Sequence, residues 1–118
     1  MVKIEELAIA ALNYDSLQLS ALTQALFRDK HQLREHPKPE TNDQRILSVS
    51  AGLLELFAQQ WHQEPPSWTA DIGPMPEPFF LLKYAKVMKS LRLLCENESP
   101  ESLRKRELYA TPNFLEFA

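Results

Sequence analysis

Apolar residues recur at helical spacing along most of this chain. Ile4, Leu7, Ala8, Ala11 and Leu12 line one side of a first helix, residues 3 to 12. Asn13-Tyr14-Asp15-Ser16 interrupts the pattern, and Asp15 or Ser16 supplies a short side-chain oxygen for the unpaired amides of a new first turn. The second helix therefore starts there, buries Leu19, Leu22, Leu26 and Leu33, and runs to about Glu35. Pro37 and Pro39 end it, because proline has no amide proton and disfavours helix in the residue before it.

Thr41 and Gln44 have the spacing of a capping box, which opens a third helix. Ile46, Val49, Leu53, Leu56, Phe57 and Trp61 cover a wide apolar face, so this is the expected core helix, with Gly52 either a small cost or a point of close helix approach. Between Gln63 and Pro78, five prolines exclude a regular helix. Trp68, Ile72 and Met75 punctuate that stretch, and large apolar groups favour an ordered loop pinned to the domain.

A fourth helix is predicted from about Phe80 to Glu96, with Tyr84, Val87, Met88, Leu91, Leu94 and Cys95 on its apolar side. Lys83, Lys86, Lys89 and Arg92 lie largely opposite. Ser99-Pro100 starts a short fifth helix, to about residue 107, and Leu108 to Ala118 reads as irregular. The pattern gives an all-α single domain over residues 1–118: a small bundle of four main helices plus a short C-terminal helix, with a long Pro-rich loop.

Length and composition agree with one ordinary globular domain: 118 residues, 44% hydrophobic and 25% charged. One cysteine excludes an intrachain disulfide and a multi-thiolate zinc site, which points to a reducing compartment, and with no export-signal pattern the cytoplasm is the expectation. No apolar run approaches the roughly 20 residues that a membrane span needs. The net charge of −3 hides an asymmetry. Residues 1 to 78 carry six basic and eleven acidic side chains, residues 79 to 118 seven and five.

Candidate chemistry is sparse. A metal site wants three convergent ligands, and His31, His36 and His62 read better as surface histidines. Cys95 sits on an apolar stripe, as a core residue does. Two glycines cannot build a phosphate loop, and no serine stands in a nucleophile elbow. No cofactor and no catalytic activity are expected. The basic residues Lys83, Lys86, Lys89, Arg92, Arg104, Lys105 and Arg106 give the alternative of nucleic-acid binding through the fourth and fifth helices, although a solvated helix face explains such residues more often. A helix-turn-helix is not indicated, since the joint before the third helix is proline-bearing and that helix offers DNA only Arg45.

The strongest oddity is apolar and aromatic content outside the helical stripes: Trp68, Met75, Phe79 and Phe80 in the loop region, and Tyr109, Phe114, Leu115 and Phe117 in the tail. Either these pack back as anchors or they meet a partner, because aromatic groups are enriched at interface centres. An exposed aromatic loop would also suit a homo-oligomer. The favoured expectation is a non-catalytic partner-binding or regulatory protein.

The words Pro66-Ser-Trp-Thr-Ala70, Gly73-Pro-Met-Pro-Glu-Pro-Phe-Phe80, Leu91-Arg-Leu-Leu-Cys95, Glu98-Ser-Pro100 and Leu108-Tyr-Ala-Thr-Pro-Asn-Phe-Leu115 resemble a family of short, uncharacterised bacterial proteins. The resemblance covers residues 45 to 118. It implies a two-protein, toxin-antitoxin-like arrangement with a nucleotidyltransferase-like partner. The matching positions Trp68, Pro76, Glu77, Phe79, Phe80, Pro112, Asn113 and Phe114 are then a shared surface or a shared core; with Met75, the partner-binding candidates are Trp68, Met75, Glu77, Phe79, Phe80, Asn113 and Phe114.

Overall fold

A computed structural model describes residues 2–29 and 32–116. Five helices form in order: α1 (Ile4–Leu12), α2 (Ser16–Arg28), α3 (Gln44–Trp61), α4 (Lys89–Glu98) and the single-turn α5 (Glu101–Arg104). Two short strands, β1 (Phe79–Phe80) and β2 (Leu108–Tyr109), pair in parallel, Phe79 opposite Leu108 and Phe80 opposite Tyr109. The mainly helical class is as expected, and the strand pair is an addition to it.

The third helix is the axis of the core. Val49, Leu53, Leu54, Leu56 and Phe57 are buried, with α1 against one side and α5 against the other. Leu7, Ala8 and Ala11 of α1 and Leu19 and Leu26 of α2 close the same cluster. Gly52 on α3 is packed tightly against Leu103 of α5 and Leu108 of β2. A Cβ there would sit 3.1 Å from Leu103 Cδ2 and 3.1 Å from Leu108 Cδ1.

The ends of the helices follow local chemistry, with two changes from expectation. Asp15 caps α2 by accepting from the Gln18 amide at 3.2 Å. At α3 the cap is Asp43, accepting from the Arg45 amide at 2.9 Å, and not Thr41, whose hydroxyl accepts from the Asp43 amide. Gln44 is thereby released to donate to the Gly73 and Pro74 carbonyls, and Ser48 Oγ also donates to Gly73 at 2.9 Å. The second helix ends at Arg28 and not near Glu35; Leu33–Glu35 is a separate 3-10 turn that still buries Leu33.

The Pro-rich loop is ordered and pinned. Trp68 Nε1 donates to the His36 carbonyl at 2.8 Å, and the Met75 amide donates to the Arg106 carbonyl at 2.9 Å. Farther along, the Phe79 and Leu81 amides donate to Glu107 and Tyr109. This ladder explains why residues 79 to 88 are not the start of the fourth helix. Phe79 and Phe80 are held extended against the tail, Lys83–Lys86 forms a 3-10 turn, and α4 begins only at Lys89.

Candidate functional site

Several sequence candidates prove to be structural. Met75 and Phe114 are buried in the main core. Phe79 is half-buried, stacked on Tyr14 with ring centroids 5.6 Å apart, while the Arg45 guanidinium lies 5.6 Å from its ring. Tyr14 also donates to the Phe80 carbonyl at 3.2 Å, so both phenylalanines anchor β1 to the end of α1. Trp68 is half-buried and committed to His36. Glu77 and Asn113 are exposed, but the residues around them in the candidate set face inward. Of these seven residues, Met75 and Phe114 are buried, Trp68, Phe79 and Phe80 are half-buried, and Glu77 and Asn113 are exposed. Phe117, also in the aromatic tail, and His31 lie outside the described residues.

The basic set divides as well. Arg106 is 3% exposed, and its guanidinium donates to both Glu55 carboxylate oxygens at 2.7 and 3.1 Å and to the Thr69 carbonyl at 2.6 Å. Lys105 Nζ stands 2.8 Å from Glu55 Oε1, and Arg104 donates to the Ser99 carbonyl at 2.9 Å. Burial pushes the Glu55 carboxyl up, yet the hydrogen bonds from Arg106 and Lys105 outweigh it and hold the group below its ordinary value. These three basic side chains secure α5. Of the basic candidates, Lys83, Lys86, Lys89, Arg104 and Lys105 are exposed, Arg92 is half-buried and Arg106 is buried.

Cys95 is fully buried, and burial, with the Glu96 charge beside it, raises its thiol above the ordinary value. It is a small core side chain, as its stripe implied. His36 corrects the reading of the histidines as surface groups, being 2% exposed, whereas His62 is exposed at the left-handed end of α3.

What sequence reasoning missed is the other side of the fourth stripe. Tyr84, Val87, Met88, Leu93 and Leu94 are exposed, Val87 at 79% and Tyr84 at 59%. Of that stripe, Cys95 turns fully inward and Leu91 is half-buried. The 3-10 turn and α4 together form a ledge whose chief packing is of one on the other. Beside Tyr84 a groove of about 390 Å³ opens, floored by Ala10, Leu19, Leu81 and Phe114. Lys83, Lys86 and Lys89 rim the ledge. The other large exposed apolar groups, Ile9, Leu17 and Phe27, stand on α1 and α2, and Phe27 is already edge-on to Trp61 at 5.1 Å.

The ledge presents apolar and cationic groups, while Cys95 of the same stripe is buried. No described helix is long and apolar enough to cross a membrane. Fold and ledge define a small helical bundle with an uncovered amphipathic segment. The chain matches no family model, no curated protein and no solved structure in the comparisons.

Proposed function

We propose that this protein is a non-catalytic, partner-binding module whose docking surface is the ledge of Tyr84, Val87, Met88, Leu93 and Leu94. One observation carries the reading: five large apolar side chains, at least 36% exposed each, lie on a segment spanning only eleven residues. Single exposed apolar residues are ordinary on monomers, but a contiguous group rimmed by charge marks a contact surface. The charged rim would set orientation while the apolar centre supplies affinity.

The family resemblance adds a bacterial two-protein arrangement with a nucleotidyltransferase-like partner, and the same experiment addresses it. Tagged protein is used to capture partners from its native cells at moderate salt after nuclease treatment. A protein captured by the wild type and lost by Val87→Asp with Leu94→Asp is the expected result. Equal capture by both, or nucleic acid alone, would remove the ledge from the function.

A further inference from the structure

The charges of α4 run the wrong way for the helix that bears them. A helix end gathers partial positive charge at its N-terminus and negative at its C-terminus, so acids favour the first turn and bases the last. Here the first turn holds Lys89 and Arg92 with no acid, and the last holds Glu96 and Glu98 with no base. Its N-cap, Met88, offers no side-chain hydrogen bond. Within its own chain this order weakens the helix. Neither Lys89 nor Glu96 forms a side-chain ion pair with a described residue.

We propose that the ledge is covered by a second copy of this chain, with α4 packed antiparallel against the partner's α4 about a two-fold axis. The proposal rests on reading the ledge as a docking surface. Lys89 and Glu96 are seven residues apart, which returns them to the same flank of the helix about 10 Å apart along its axis. A two-fold axis passing between Arg92 and Leu93 sets Lys89 of each copy opposite Glu96 of the other, making the pair twice. Lys86 in the preceding turn and Glu98 at the helix end extend the same charge order. Close to that axis lie Leu93 and Leu94, 43% and 36% exposed, with exposed Ser90 leaving room for an opposing leucine. The two macrodipoles also oppose, so each misplaced charge meets the helix end that favours it. A polyanionic surface would complement the lysines but repel Glu96 and Glu98, whereas the antiparallel copy satisfies both signs.

Lys89→Glu and Glu96→Lys test this, each confirmed as folded by circular dichroism and measured by sedimentation equilibrium at low salt. Wild type is expected to form dimers that dissociate with dilution and salt. Either change alone turns two attractive contacts into two repulsive ones and weakens dimerisation by about tenfold or more. Mixing the two variants, or combining both changes in one chain, restores it. A wild type monomeric up to about 1 mM, beyond which so small an interface carries no function, overturns the proposal, as does a dimer indifferent to both changes. If the wild type stays monomeric while Val87→Asp with Leu94→Asp still abolishes capture of another protein, the second copy is excluded and the docking ledge stands. If those aspartates change nothing either, the ledge falls too.

Discussion

Arg106 and Glu55, 51 residues apart in sequence, meet as a two-point fork at 2.7 and 3.1 Å that ties the chain just after α5 to α3. The pair is asymmetric, because Glu55 has a second cation in Lys105 while Arg106 meets no second carboxylate among the described residues. Removing the acid therefore strands a buried guanidinium; removing the arginine leaves the carboxylate paired. Glu55→Leu is expected to cost about 3 kcal/mol, the scale for breaking a buried pair, and Arg106→Met less. Urea unfolding of both variants measures the order, and the reverse order would contradict this geometry.

The same pair sets an acid dependence. Glu55 has a lower pKa folded than unfolded. Its contribution is therefore fully present above the ordinary carboxylate pKa and is lost as pH falls through the depressed folded value. The stability difference between wild type and Glu55→Gln should shrink on acidification below the ordinary carboxylate range. A difference constant with pH would assign the cost to packing.

Much of this was legible in the residues. The periodicity of the first three helices follows from patterns within a few turns of chain, and the apolar groups at Trp68 and Met75 mark the Pro-rich loop as ordered, although its tethers at His36 and Arg106 are distant in sequence. The β1–β2 pair does not, because Phe79 and Leu108 lie 29 residues apart and nothing local distinguishes them from ends of helices. Arg106 sat in a run with Arg104 and Lys105 that reads as a basic patch. The overlooked signal was Glu55, a lone acid inside Leu53-Leu54-Glu55-Leu56-Phe57, which needs a cation once that stretch is buried. The stripe of α4 was visible, but periodicity shows only that a face is apolar and not whether the same chain covers it.

His62 ends α3 in the left-handed region, at φ 56°. Glycine adopts that conformation without the Cβ penalty, and the His62 side chain is exposed. His62→Gly is expected to stabilise the protein by about 1 kcal/mol, the low end of the left-handed Cβ penalty, read as a higher melting temperature. A lower one would mean that the imidazole makes a contact worth more than the strain.

Cys95 provides a probe of native packing. Fully buried and with its thiol pKa raised, it should react with a thiol reagent only when α4 or the whole domain opens. Labelling is expected to be slow in buffer and fast in denaturant. Rapid labelling under native conditions would show α4 detached from the body.

Ledge and core should separate energetically. Val87→Asp, at a residue 79% exposed, is expected to change stability by no more than about 0.5 kcal/mol. Met75→Ala, at 5% exposure, should cost about 2–5 kcal/mol. Thermal unfolding compares them, and a large loss at Val87 would make the ledge structural.

Photo-crosslinking tests the docking surface most directly. A photoreactive residue replaces Val87 or Leu94 in native cells, with Leu17, 84% exposed on α2, as the control. Discrete adducts, with a second copy or with another protein, are expected from positions 87 and 94 and not from 17. Equal adducts from all three, or none from the ledge, would contradict a docking role for α4.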